Sequence, residues 1–211
     1  MWYVKSKTKP DWSAATRYLR RADPKLAKMI KKVGPCTIVP RRDYYPFLCV
    51  CIFNQQISMK IAAILYGRFR DLFPRRKPHP KHLLDLHERD ELWIKKCGVS
   101  RQKREYLLDL SRKFIEGKIP TRKFARMSDE EVIESLTQIK GIGRWTAEMF
   151  LMFVLDRPDV LPVDDLGLRE AVKRLYNLRE RPDAKKLRKI AEAWRPWRSI
   201  ATWYLWRGME G

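Results

Sequence analysis

The residues whose types and spacing could do chemistry begin at a glycine turn. An apolar helix gives way to Lys140-Gly141-Ile142-Gly143-Arg144, and a second apolar helix follows as far as Leu155. Two glycines let the backbone turn tightly and bring bare amides up to a ligand, and amides at a helix start suit a phosphate. Ile142 between them would plug the turn into the core. Lys140 and Arg144 flank it and can add ionic contacts to the same anion. The pattern is a helix-hairpin-helix, a device for gripping a nucleic-acid backbone without reading its sequence. Lys140, Gly141, Ile142, Gly143, Arg144 and Thr146 are the candidate backbone contacts. An ordinary helix-helix turn containing Gly-x-Gly would carry the same letters, and the turn by itself breaks no bond.

Beyond the second helix comes Leu161-Pro162-Val163-Asp164-Asp165-Leu166-Gly167-Leu168. Leu168, Ala171, Val172 and Leu175 recur at helical spacing, which puts the acidic pair at a helix start. The plain reading of a carboxylate there is an N-cap. The helix N-terminus also helps to keep such an acid ionised, so capping and chemistry can share one residue.

The elements that must position these residues read as about a dozen capped helices. Asp23 followed by Pro24 predicts a helix to Val33, closed by Gly34-Pro35. Ser58 caps a helix through Phe73, stopped by Pro74, and Ser100 caps another to Gly117. Ser128 and Glu131 form a capping box ahead of Val132, Ile133, Leu136 and Ile139. No stretch alternates with the period of a strand. The Pro- and base-rich connector from Pro74 to Pro80 is the candidate divider between two parts.

Composition limits the function classes. In 211 residues, 46 Lys and Arg stand against 25 Asp and Glu, a formal charge of +21. The basic residues recur along the chain, at Arg41-Arg42, Arg75-Arg76-Lys77, Lys95-Lys96, Arg101 to Arg104 and Lys185 to Lys189, and not in one tail. A folded face that tracks phosphates is the expected consequence. Cys36, Cys49, Cys51 and Cys97 follow no metal-ligand spacing and read as buried thiols in a reducing compartment. His79, His82 and His87 cluster near the basic connector without a second ligand group to suggest a metal. Residues Met1 to Asp11 lack an apolar core of signal-peptide length, and no run approaches a membrane span. An intracellular protein without a membrane partner is expected, in the cytoplasm or nucleoid, or the nucleus of a eukaryote.

With these residues in place, the chain resembles the helix-hairpin-helix DNA glycosylases, and within them the AlkA-type alkylated-base (3-methyladenine) glycosylases, from about Leu19 onward. Four ordered blocks carry the likeness besides the hairpin. They are Phe53-Asn54-Gln55-Gln56-Ile57-Ser58, Gly98-Val99-Ser100-Arg101-Gln102-Lys103, the Asp164-Asp165 segment, and Trp194-Arg195-Pro196-Trp197-Arg198-Ser199 with Ala201 and Tyr204-Leu205-Trp206. The resemblance implies that Asp165 is the catalytic acid, with Asp164 its neighbour. It implies that Gln56, beside Gln55, wedges into the gap left by a flipped nucleotide. Trp145 and Trp206 match aromatics of the base pocket, whereas Trp93, Trp194, Trp197 and Trp203 read as packing. The Gly98 block looks structural.

The implied reaction is hydrolysis of an N-glycosidic bond. Its departing base leaves positive charge on the sugar, which an ionised acid stabilises. Relatives that also nick the strand place a Schiff-base lysine two residues after the second hairpin glycine, where this chain has Trp145. A monofunctional enzyme that leaves an abasic site is therefore expected. Iron-sulfur relatives carry four cysteines after the catalytic helix, but Cys97 is the last here, so no cluster is expected. No cofactor or catalytic metal is required, although carbonyls of the hairpin could hold a monovalent cation.

The expected architecture is all-α, in the compact form without the family's N-terminal sheet domain. One helical lobe is formed by residues 1–54 and 156–211 and a central lobe by 55–155, with the active cleft between them. The partner is double-stranded DNA containing damaged bases, bound by a monomer. The rival readings are a glycosylase for uracil, hypoxanthine or oxidised purines, and a non-catalytic DNA-binding module. Gln56 in place of an apolar wedge, and Lys140 where many relatives have proline, are departures from the family pattern.

Overall fold

The computed structural model describes residues 11–39, 41, 43–90 and 93–209. The expectation about a leader in residues 1–10 lies outside them. Among the described residues there are twelve α-helices, three short 3-10 turns and no strand. The helices are α1 (Ser13–Ala22), α2 (Pro24–Val33), α3 (Tyr44–Asn54), α4 (Met59–Asp71), α5 (Pro80–Arg89), α6 (Trp93–Cys97), α7 (Arg101–Ile115), α8 (Asp129–Thr137), α9 (Arg144–Phe153), α10 (Leu166–Tyr176), α11 (Ala184–Ala191) and α12 (Arg198–Met209). None of these is long and apolar enough to cross a membrane. The caps fall where the sequence puts them: Asp23 accepts from the Lys25 and Leu26 amides, Ser58 from Ile61, Ser100 from Lys103, and Ser128 with Glu131 closes a capping box.

The chain divides into two units, one made of Met1–Arg41 with Leu151–Gly211, the other of Arg42–Phe150. The sequence reading set these boundaries at 54/55 and 155/156, and the structure moves both. Helix α3 is apolar all round, with Phe47, Leu48, Val50, Ile52 and Phe53 buried, and it packs on α4 and α7. It is the core helix of the central unit, so it cannot be counted with the N-terminal segment. The connector 74–80 divides nothing: it is a 3-10 turn between α4 and α5 inside that unit.

The central unit is built on aromatic contacts. Phe69 meets Phe53, Phe73 and Trp93 at ring-centroid distances of 5.1, 4.9 and 6.0 Å, and Tyr44, Phe124 and Phe150 form a second group. Helices α8 and α9 are joined through the glycine turn. Ile142 is buried, and its N–H donates to the Ile139 carbonyl at 3.0 Å. Gly141 has φ +79, and a Cβ there would lie 2.2 Å from the ring of Tyr106 on α7. Glycine is thus demanded twice, by a left-handed backbone and by an aromatic ring against the turn.

The other unit packs α1, α2, α10 and α12 around Leu19, Leu26, Ile30, Leu168, Val172, Ile200, Tyr204 and Leu205. Its main buried polar group is Asp23, which caps α2 and also accepts from the Trp194 indole at 2.9 Å and from the Tyr176 hydroxyl. Burial pushes this carboxyl up, but the bonds from Tyr176, Trp194 and the two amides outweigh it and hold it below its ordinary value.

Two expected outcomes follow from this packing. Asp23→Asn trades an acceptor for a donor facing Tyr176 and Trp194, and should cost about 2–3 kcal/mol of stability in urea unfolding. A carboxyl lowered in the native state stabilises above its unfolded pKa of about 3.9, and that contribution is lost as pH falls through the native value. Below about pH 4 the wild type should therefore lose stability more steeply than Asp23→Asn; parallel acid profiles would refute this account of Asp23. Gly141→Ala should cost about 2–4 kcal/mol, from strain plus overpacking against Tyr106; an unchanged urea midpoint would show that the ring gives way freely.

Candidate active site

The acid is positioned by local helix chemistry. Asp165 is the N-cap of α10, and its Oδ1 accepts from the Leu168 amide at 2.5 Å. The same Oδ1 accepts from the indole Nε1 of Trp206 on α12 at 2.9 Å. Two donors converging on one oxygen fix the carboxylate plane as well as its place. Gly167 lies close by: a Cβ there would stand 3.2 Å from Asp165 Oδ1, a tight contact, and 3.6 Å from the Trp206 indole, an ordinary one. The Trp206 ring stacks on Phe153, with centroids 6.2 Å apart at 28°. Asp164 is exposed and pairs with Arg169 at 3.1 Å. Leu166, the next residue after the acid, is 62% exposed.

The segment leading into Asp165 is clamped by the start of α12. Arg198 grips Asp159 through two guanidinium nitrogens, Nε to Oδ1 at 2.6 Å and Nη2 to Oδ2 at 3.0 Å, and Arg195 adds a third contact at 2.7 Å. The Ser199 hydroxyl donates to the Arg157 carbonyl at 2.7 Å and accepts from the Val160 amide at 3.0 Å. Arg169 Nε holds the Val163 carbonyl at 2.6 Å. The Trp194 to Ser199 block therefore has a physical task that its sequence did not disclose, which is to hold the chain that delivers the acid.

The second constellation lies in the central unit. Gln56 is exposed and sits at φ 58, a left-handed conformation uncommon for a residue with a side chain. Its loop is tied down from both sides. Lys103 Nζ donates to the Phe53 and Gln55 carbonyls, each at 2.8 Å, and so satisfies the C-terminal end of α3. Burial pulls the Lys103 ammonium below its ordinary pKa. Gln55 reaches the hairpin instead, donating from Nε2 to the Gly141 carbonyl at 2.7 Å. The Gln55–Gln56 loop and the hairpin are thus one hydrogen-bonded assembly, braced by Lys103 of the Gly98 block.

The hairpin residues fare differently from one another. Lys140 and Gly143 are exposed, and Trp145 is 47% exposed. The Lys140 amide is taken by Asp109 Oδ2 at 2.8 Å, and the Ile142 amide by Ile139, so neither serves as a bare donor to a ligand. Thr146 is buried, which turns its side chain inward. Arg144 pairs with Glu130 at 2.9 Å and with Glu148 at 3.2 Å. Hydrogen bonds from Arg144 to Glu130 raise the guanidinium pKa further, so it stays charged throughout.

Sequence reasoning missed Gly167, Lys103's carbonyl contacts, the Asp159 clamp and the acids around Arg144. Only Gly167 had a local signal, a glycine at a helix start where little demands one. The remaining partners are separated by 14 to 50 residues, except Glu148, which lies one turn after Arg144. Of the tryptophans read as packing, Trp93, Trp194 and Trp203 are buried and Trp197 is half-buried. Cys49 and Cys97 are buried and Cys36 and Cys51 half-buried, all as free thiols, with burial pushing Cys36 and Cys97 up to about 12.

Comparison with known proteins identifies the family of the chain. The chain is 37% identical to DNA-3-methyladenine glycosylase 1 of Schizosaccharomyces pombe, over 87% of this chain and 80% of that one. It is 32% identical to the alkylbase DNA glycosidase-like protein mag2 of the same organism, over 93% of each. The solved structure of the Schizosaccharomyces pombe 3-methyladenine DNA glycosylase in complex with abasic DNA superposes with a TM-score of 0.79 at 36% identity, covering 92% of this chain and 95% of that one. Residues 49–196 match the family model of the HhH-GPD superfamily base excision DNA repair proteins, a span that takes in Gln55 and Gln56, the hairpin and Asp165. This chain belongs to that superfamily.

Proposed function

We propose that the protein is a monofunctional DNA glycosylase of base excision repair that removes alkylated bases, of the 3-methyladenine and 7-methylguanine type, from double-stranded DNA. The observation that carries the reading is Asp165, an acid whose Oδ1 accepts from both the Leu168 amide and the Trp206 indole, in a chain of this superfamily. Relatives over most of its length are named as 3-methyladenine glycosylases, and one is solved with abasic DNA.

In this reading the hairpin turn holds a phosphate and Gln56 fills the place of the everted nucleotide. Methylation at a ring nitrogen makes a purine cationic and a good leaving group. Trp206, whose indole reaches Asp165, is the ring that would bind it by stacking and cation–π attraction, and the family pattern assigns Trp145 to the base as well. As the C1′–N bond breaks, its electron pair leaves with the base, and Asp165 stabilises the cation left on the sugar. Water then adds at C1′ and gives its proton to the carboxylate or to solvent, leaving an abasic site. Trp145, standing where a lyase carries lysine, supports water as the nucleophile. The protein acts as a monomer inside the cell and requires no cofactor or iron-sulfur cluster. A monovalent cation at the hairpin fits the donors present: the Ile139 and Gly141 carbonyls each accept one hydrogen bond and keep a second lone pair for it. Such an ion would add positive charge beside the phosphate.

Incubation with methylated duplex DNA should release free 3-methyladenine and 7-methylguanine and leave abasic sites without strand nicks. Release from uracil, hypoxanthine or oxidised-purine duplexes instead would reassign the substrate, and binding without any release would identify a docking module. Asp165→Asn should bind duplex as the wild type does while losing about a thousandfold in single-turnover release. Equal release by both proteins would refute the role of Asp165.

A further inference from the structure

Arg144, at the mouth of the hairpin turn, has all three guanidinium nitrogens facing acids. Glu130, in the first turn of α8, takes the outer edge in a two-pronged contact with Nη1 and Nη2, the first at 2.9 Å. Glu148, one turn along α9, takes Nε at 3.2 Å. The two acids differ in one decisive respect: the Glu148 side chain is 6% exposed, whereas that of Glu130 is 62% exposed. Glu148 is fixed, and desolvating it without its cation would be costly, so it anchors the arginine. Glu130 is solvated, so water can take over its carboxylate when the pair opens, which no solvent can do for Glu148. The edge it occupies is the one a phosphate would use, because carboxylate and phosphate both present two oxygens to the same planar fork. Lys140 and Gly143 are exposed on the same turn.

We infer that Glu130 is a resident competitor for the phosphate-binding edge of Arg144, displaced when DNA binds and restored when it leaves. Glu148 is the positioning residue that keeps the guanidinium in place through the exchange. The device weakens the grip on undamaged backbone in a chain whose net charge would otherwise favour prolonged non-specific binding. The inference rests on the proposal that the hairpin binds DNA, and its test reads binding alone, not base release.

Binding of a fluorescein-labelled undamaged duplex would be measured by anisotropy across a salt series. Glu130→Gln should bind about two- to fivefold more tightly, the scale of one exposed charge contact. Its log–log salt slope should stay close to that of the wild type, because Arg144 meets the same phosphate in both complexes. In a background of Arg144→Ala with Glu148→Gln, which leaves no buried carboxylate unpaired, the same change at Glu130 should have no effect. An equal gain in that background would mean that Glu130 acts only through the general field, and would overturn the inference. So would no gain in either background. A wild type that binds no duplex would refute the functional reading with it, whereas one that binds but ignores Glu130 would refute this inference alone. Thermal midpoints of the four proteins check that each is folded.

Discussion

The bond between the Trp206 indole and Asp165 Oδ1 is the constraint on which the candidate site depends. A carboxylate at the first position of a helix is usually held by one backbone amide and is free to rotate about its cap. Here the side chain of α12 adds a second donor on the same oxygen, and Gly167 avoids a tight contact with that oxygen. The ring of Trp206 is itself stacked on Phe153, a contact that favours the orientation in which its nitrogen donates. Upstream, the Asp159–Arg198 pair and Ser199 fasten the loop that enters the cap. Each layer fixes the next: α12 holds the loop, the loop delivers the cap, and the cap aims the acid. Preorganisation of this kind is what electrostatic stabilisation of a developing cation requires, because no reorganisation is then needed as charge appears.

The hairpin obeys a related rule with different chemistry. Its two glycines provide backbone shape, but shape alone would leave the turn unsupported. Tyr106 lies against Gly141, Asp109 takes the Lys140 amide and Gln55 takes the Gly141 carbonyl. Lys103 then ties the Gln55 backbone to the end of α3. The exposed, left-handed Gln56 is consequently mounted on a braced loop, and its strained backbone persists between the held Gln55 before it and the Ser58 cap of α4 after it.

Much of this was legible in the sequence, for reasons that can be named residue by residue. Caps obey short-range rules, so Asp23, Ser58, Ser100 and the Ser128–Glu131 box marked their helices correctly. The Gly-x-Gly turn and the acid at the start of α10 are local as well. Helix α3 was misassigned because its apolar residues show no one-sided period: a helix buried all round gives no clue to which neighbours bury it. The connector 74–80 misled because proline and charge mark a turn equally well inside a domain or between domains. Partners brought together only by the fold, such as Arg198 with Asp159, Lys103 with Phe53, and Arg144 with Glu130, leave no mark at either position. The Trp206 match drew attention to a pocket, whereas its indole nitrogen also serves the acid.

The most direct test of the central claim is single-turnover release of 3-methyladenine from a defined duplex by Trp206→Phe. Phenylalanine keeps a ring against Phe153 but removes the donor to Asp165. The account predicts a fall in rate of about ten- to a hundredfold, the value of a hydrogen bond to a charged group, and no further fall when Asp165→Asn is added beyond that of Asp165→Asn alone. A Trp206→Phe protein that releases the base at the wild-type rate would contradict it.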